Sequence, residues 1–268
     1  ALRALAKNKL RAGLTMLGVI IGVAAVISLL AIGHGAEAAI ASQIQGLGTN
    51  LLFVQPGSVS QGGVRSAMGS AVTLTLDDAY ALSDPLNAPS ITMVAPEVNG
   101  FMQVRGPGRN VNTRIIGVTE EYQWVRNALI ENGEFISNRH VQAQSLVAVL
   151  GSQVAIDLFG DVDPIGQTIH LGRSPFRVIG VLEPKGGTGF FSLDQVVIVP
   201  ITTAQSRLFG RRFFRGGRIV SSINVQVADE SLIDQATAEI AEILRERHHV
   251  TYEDDFRIMS QQDFVNAA

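Results

Sequence analysis

The sequence predicts an α+β fold: one N-terminal membrane-spanning helix that runs on into a stalk, then a βαβ-repeat domain split by a β-rich insertion. Three observations predict it. Leu14 to Ile32 (LTMLGVIIGVAAVISLLAI) is an uncharged apolar run. A strand-helix-strand order occurs twice, at the two ends of all that follows it. Between those copies, short β-branched runs bounded by turn residues take over.

The apolar run comes first. At about 1.5 Å per residue it spans roughly 28 Å, close to the bilayer core of about 30 Å, where every backbone amide must be satisfied within the segment. Arg3, Lys7, Lys9 and Arg11 precede it, and no Lys or Arg follows until Arg65. These four cations are the topology determinants: the positive-inside bias keeps the N-terminus in the cytoplasm of a cell (inner) membrane and places the rest in the periplasm or outside the cell. The rival reading is a cleaved signal peptide, cut near Gly33-His34-Gly35. A signal's apolar region is about 7 to 15 residues, shorter than this one. Moreover Ala36, Ala39, Ile40, Gln43, Ile44 and Leu47 keep three-and-four spacing beyond it, as a helix emerging from the bilayer would. Gly18 and Gly22, spaced G-x-x-x-G, mark a face that lets another helix approach. Residues 1–13 are thus the cytoplasmic basic flank, 14–32 the transmembrane helix and 33–48 the stalk.

Composition bounds the remainder. With 46% hydrophobic and 17% charged residues the chain has ample material for a core, which excludes general disorder. A net charge of −3 gives no global attraction to nucleic acid. The absence of cysteine removes disulfides, thiol nucleophiles and thiolate metal sites together. The missing initiator Met and the ending FVNAA read as a segment of a longer protein.

After the stalk, Asn50 to Val54 (NLLFV) reads as a buried strand ended by Pro56-Gly57, and the Gly-rich SVSQGGVRSAMGS as a loop. Thr75 with Asp78 three residues on opens a short helix that must stop before Pro85, and Ile91 to Val94 is the next strand. The C-terminal copy is Ser222 to Val227, a helix capped by Ser231 with Leu232, Ile233, Ala236, Ile240, Ile243 and Leu244 on one face, and Phe256 to Met259. Set side by side, the two copies share a sheet with the helices on one face. They occupy 49–105 and 218–268. The insertion, 106–217, carries strand candidates at Thr113–Val118, Leu146–Leu150, Thr168–Leu171, Phe176–Leu182 and Val196–Val199. Its one clear helix begins at Ser152 as N-cap and ends at Gly160.

Motif chemistry is sparse. In EPKGGTGFF, Lys185 precedes the glycines, the reverse of a phosphate-cradling G-x-x-x-x-G-K-[ST], so no ATP hydrolysis or cofactor is expected of this segment. No His-carboxylate spacing reads as a metal site and no nucleophile constellation as a catalytic one. Asp77-Asp78 and Glu253-Asp254-Asp255 sit where turns and helix starts hold solvated carboxylates. Two features suit a partner contact: the Gly-rich tip ending in Phe190-Phe191, and the basic-aromatic patch of Arg207, Arg211, Arg212, Arg215 and Arg218 with Phe209, Phe213 and Phe214, which would meet a partner protein or an anionic envelope component. The bland alternative for the second is a solvated loop with its aromatics turned inward.

The residues NKLRAGLTMLGVIIGVAAVISLLAIGHGAEAAIASQIQGLGTNLLFVQPG resemble the start of MacB-type ABC transporter permeases. The blocks LTLDDAYAL, MVAPEV, IIGVTEEY, LVAVLGSQVAIDLFGDVDPIGQTI, FRVIGVLEPKG, VIVPITTAQSRLFG and SSINVQV continue that likeness in order over essentially the whole chain. The resemblance implies a porter-like subdomain made of the two βαβ copies and split by a Sabre-like insertion. It also implies a homodimeric permease that couples ATP hydrolysis, on a fused or separate nucleotide-binding domain carrying ATP-Mg, to movement of the ectodomain. Its implied partners are a periplasmic adaptor and an outer-membrane channel. The chain departs from the pattern at RRFFRGGR, longer and more basic than usual, and at LSDPLNAPS, where Pro85 shortens a helix. An FtsX-like regulator of a cell-wall hydrolase and a single-span anchored sensor or enzyme are the alternatives; further apolar runs beyond Ala268 would separate a permease from the latter.

Overall fold

The computed structural model describes residues 9–45, 50–57, 60–61, 64–65, 73–186, 192–250, 253–261 and 263, with the side chains of 9–12, 36–45, 60–61 and 64–65 outside that description. The chain divides into two compact units, residues 1–44 and 45–268.

The first unit is the helix α1 (Lys9–Gln45). It is unbroken, about 55 Å long at 1.5 Å per residue. Its stretch Gly13–Gly35 is apolar enough to cross a membrane, and every side chain there is exposed. A helix apolar all round with nothing packed on it matches a lipid environment. Helical backbone begins by Lys9, so part of the predicted flank is helix as well.

In the second unit β1 (Leu51–Pro56) is buried on both faces, as its continuous apolar run demands. The two-residue strands β2 (Ser60–Gln61) and β3 (Val64–Arg65) pair only with each other. Thr75 caps α2 (Leu76–Leu82) through a capping box with Asp78, as its spacing foretold. β4 (Ile91–Arg105) runs far past the expected Val94, through Pro96, which lies one residue before pairing with β5 (Asn110–Val118) begins at Glu97.

Two short helices that the sequence pattern did not reveal follow: α3 (Tyr122–Val125) and, after strand β6 (Ile130–Gly133), α4 (Asn138–Gln142). Each is under two turns, too short to show a period. Next come β7 (Val147–Leu150) and α5 (Ser152–Phe159), whose N-cap is Gly151 and not the expected Ser152. Only glycine fits there, because a Cβ would lie 2.3 Å from the Leu193 carbonyl oxygen. The chain continues through β8 (Thr168–Leu171), β9 (Ser174–Leu182), β10 (Val196–Pro200), the one-turn α6 (Ile201–Thr203) with a π-turn after it, β11 (Phe213–Phe214) and β12 (Gly217–Arg218). It closes with β13 (Ser222–Val227), α7 (Ile233–His248) and β14 (Phe256–Ser260). Asp229, not Ser231, accepts the Ser231 amide at the start of a 3-10 turn that leads into α7.

The two βαβ copies interleave rather than stand side by side. Their strands run β14-β1-β13-β4, all antiparallel, so β13 inserts between β1 and β4. Numbered in chain order this is 4-1-3-2, the split βαβ arrangement. α2 and α7 share the core of Leu52, Val54, Ile223, Val225, Ala236, Ile240 and Leu244.

The same sheet then closes on itself. β4 pairs β5, β5 pairs β10, β10 pairs β7, β7 pairs β9, β9 pairs β8, and β8 returns to the far end of β4 at Val104. This is a six-stranded barrel, with β6 paired to the end of β9 as a further strand. Alternation fills it: Ile115, Ala148, Leu150, Val178, Val197 and Val199 belong to one cluster, while Ile116, Val147, Val149, Ile179, Val196 and Ile198 belong to another on the opposite face. β4 is common to both halves: it ends at Arg105, the predicted boundary, but its part from Val98 on pairs within the barrel.

Candidate functional site

Antiparallel pairing fixes the two ends of the four-stranded half. Leu52 faces Ser260 and the Val227 amide donates to the Asn50 carbonyl, so residues 50, 227 and 260 share one end. At the other end lie the start of α2, the end of α7 and the β11–β12 hairpin.

There α7 delivers His248, 3% exposed, against two carboxylates. Its Nδ1 is 2.7 Å from Asp255 Oδ1 and its Nε2 3.2 Å from Asp78 Oδ2. Asp78, equally buried, also accepts from the Thr75 amide and hydroxyl through Oδ2, at 2.9 and 2.7 Å, and from Arg247 Nε through Oδ1 at 2.7 Å. Burial alone would lower the His248 pKa, but the hydrogen bonds and charges of Asp255 and Asp78 outweigh it and raise it to about 9. Burial opposes ionisation of Asp78 in turn, yet its bonds to His248, Thr75 and Arg247 hold it well below the usual carboxylate range. The result is an imidazolium between two carboxylates, joining the first βαβ copy to the second. His248 and Asp78 are buried in it and every polar atom named is paired within the chain, so its role is to hold.

This corrects the expectation that Asp77-Asp78 and Glu253-Asp255 are simply solvated: Asp78 and Asp255 are the walls of a buried clasp. The capping box showed where Asp78 begins a helix but not what covers it. One signal was available for His248, since Ala236, Ile240, Leu244 and His248 follow each other at intervals of four on the buried face.

The stretch Arg211–Arg218 is a hairpin, not a loose loop. Phe213 pairs Arg218 and Phe214 pairs Gly217 across a turn in which Arg215 (φ 49°) and Gly216 (φ 87°) are both left-handed, as a type I′ turn requires. Arg215 Nη1 donates to the His248 carbonyl, placing a cation at the C-terminal end of α7, and its guanidinium lies 5.3 Å from the centre of the Phe214 ring. Gly217 presses on α2: a Cβ there would come within 2.8 Å of Thr75 Cβ. Arg211, Arg212 and Phe213 remain exposed, and Arg218 half-buried.

The other sequence-predicted residues stand apart from this cluster. Gly18 and Gly22 lie in α1 with nothing within 4 Å of where a Cβ would sit. Arg3, Lys7, Phe190 and Phe191, and the side chains of Lys9 and Arg11, fall outside the described residues. The Lys185 and Gly186 amides are taken up by the chain itself: they donate to the Asp194 carboxylate at 3.0 and 2.8 Å. No group of His, Asp and Glu among the described residues is arranged to hold a metal ion.

Comparison with known proteins adds family information. A family model described as the MacB-like periplasmic core domain matches residues 12–243. The macrolide export ATP-binding/permease protein MacB of Bdellovibrio bacteriovorus is 38% identical over 98% of this chain, and that of an Azoarcus species 37% identical over 99%. The chain spans 40% and 38% of the length of those two relatives. Among solved structures, the periplasmic region of MacB from Actinobacillus actinomycetemcomitans superposes with a TM-score of 0.67 at 24% identity, covering 84% of this chain and 94% of that one. The extracellular domain of the noncanonic ABC-type transporter YknZ from Gram-positive bacteria gives 0.62 at 18% identity, covering 79% of this chain and all of the other. These two likenesses speak for the fold alone.

Proposed function

Since the chain belongs to the family of the MacB-like periplasmic core domain, we propose that it serves a transporter as the mechanical element that couples ATP hydrolysis in the cytoplasm to movement of the ectodomain during export. The observation that carries this reading is the unbroken α1, which runs ten residues past Gly35 without a cap or a proline. A helix with every amide paired resists bending, so about 15 Å of stiff stalk extends beyond the apolar stretch. Asn50 and Ser260 lie at the same end of the four-stranded half.

In this reading the flank Arg3, Lys7, Lys9 and Arg11 stays in the cytoplasm, the ectodomain is periplasmic, and two copies form the permease. ATP-Mg is bound on a nucleotide-binding domain, and an adaptor and an outer-membrane channel complete the path. Gly18 and Gly22 are the face on which a neighbouring membrane helix packs.

Ala39→Pro is the test. Proline removes one helical hydrogen bond and clashes with the preceding turn at a cost of about 3 kcal/mol or more, kinking the stalk. The variant should insert and hydrolyse ATP but no longer export, while Ala39→Ser should export normally. Normal export by the Pro variant at equal abundance would refute mechanical transmission. A reporter fused after Leu47 should be active only outside the cytoplasm, and Gly22→Leu should lower export without unfolding the ectodomain.

A further inference from the structure

Between Asp194 and Asp229 the chain has five arginines, Arg207, Arg211, Arg212, Arg215 and Arg218, and no Asp or Glu. The structure sets the hairpin that carries Arg215 and Arg218 against Thr75 and the end of α7, at the end of the four-stranded half opposite Asn50 and Ser260. We infer that the hairpin, with Arg211 and Arg212 leading into it, is a docking element for an acidic protein surface that offers an apolar recess to Phe213.

Apart from exposed Asp77 beside Gly217, Asp78, Asp254 and Asp255 at that end are already committed. Asp78 is held by Arg247 and His248, Asp255 by His248, and Asp254 by a two-pronged pair with Arg245 at 2.7 Å. Among the described residues Arg207, Arg211, Arg212 and Arg218 make no ion pair. The surplus there is positive, and it complements a negative surface.

The hairpin is also preorganised. Its turn conformation is set by Arg215-Gly216, its tip is tied to the α7 terminus by the Arg215 contact with His248, and Gly217 is seated on Thr75 and Asp77. Binding therefore orders little backbone, which lowers its entropic cost. Alternation leaves Phe213 57% exposed while its neighbour Phe214 is half-buried under Arg215. An aromatic flanked by arginines on a fixed backbone is the composition that dominates protein interfaces. A polyanion would need only a row of cations. The exposed ring in the middle of the row selects a partner that also has an apolar recess, and so favours a protein.

The test uses the full-length transporter in cells, with the photoreactive analogue benzoylphenylalanine replacing Phe213. Irradiation should give one adduct to an identified protein whose cross-linked site is rich in Asp and Glu. Arg211→Glu with Arg212→Glu should cut the yield by about tenfold or more. Lys substitutions at the partner's cross-linked carboxylates should restore it. An adduct only to an anionic glycolipid, only to a second copy of this chain, or none at all overturns the inference, as does a yield indifferent to the double substitution. If that double variant loses its thermal transition, Arg211→Gln with Arg212→Gln takes its place. The readout is contact and not export, so it can succeed where the Ala39→Pro test fails, and the reverse.

Discussion

The two halves of the ectodomain share strand β4 and hold themselves together by different means. The half built from β8, β5, β10, β7 and β9 closes into a barrel with strands buried on both faces, so apolar burial dominates it, with Glu97, Arg114 and Arg126 buried there as well. The four-stranded half is open, interleaves two distant chain segments, and is joined at its far end by the Asp78–His248–Asp255 clasp. The difference teaches that a closed barrel rests mainly on its apolar layers, whereas an open, split sheet adds an imidazolium between two carboxylates where its two segments meet. Stability of the second half should follow the protonation of His248 between pH 6.5 and about 9.

Phe176, fully buried in the barrel, sets the upper end of expected effects. Phe176→Ala should destabilise by about 3–5 kcal/mol through lost burial and a cavity. Measured by urea unfolding of the detergent-solubilised chain, the loss should be the same at pH 5.5 and 8.5. A loss that changes with pH would break the contrast.

Asp78→Ala should follow, at about 3 kcal/mol near neutral pH, because it removes one of the two carboxylates that hold buried His248 and the partner of the Arg247 guanidinium. Unlike the barrel variant, its loss should shrink at alkaline pH, where His248 no longer carries a proton. A constant loss would mean that packing, not charge, makes the join.

The wild-type pH profile sharpens the point. The His248 pKa is raised from 6.5 to about 9 by folding, so its contribution is full below pH 6.5 and is lost as pH climbs through about 9, by up to about 3 kcal/mol at 1.36 kcal/mol per unit. Asp78 is depressed, so its contribution is full above its ordinary 3.8 and is lost only in strong acid. Thermal unfolding followed by circular dichroism should thus show a plateau from about pH 4 to 6.5 and an alkaline decline. His248→Gln should flatten that decline; an unchanged alkaline limb would assign it elsewhere.

Thr75→Ala removes one arm of the capping box and should cost about 1 kcal/mol, with the urea midpoint shifted and its slope unchanged. The smallest effect belongs to Arg245→Ala. Its pair with Asp254 is solvent-exposed, and its unfolding midpoint should match the wild type within error.

Local chemistry by itself determined much of this protein. The apolar run and its cation asymmetry were enough to read α1, because a bilayer asks only for length and apolarity. Alternation and turn residues placed most strands within a few positions, and the Thr75–Asp78 spacing specified the α2 cap, since each depends on neighbours three or four residues away. Family membership likewise follows from the order of blocks along the chain.

What only the tertiary structure decided are relations across long separations. β13 lies between β1 and β4 because antiparallel pairing joins residues about 170 positions apart, as at Phe53 and Asn224, and no local period encodes a neighbour. The barrel exists because β8 returns to β4. Asp78 was legible as a helix-start carboxylate, but its burial was not, because His248 reaches it from 170 residues away. The hairpin at Arg215 could be taken for a solvated loop until its φ angles and the α7 carbonyl were on view. Sequence fixes which side chains want to be buried or paired; which partner they meet is settled when distant segments pack, because burial is non-directional and contact geometry is not.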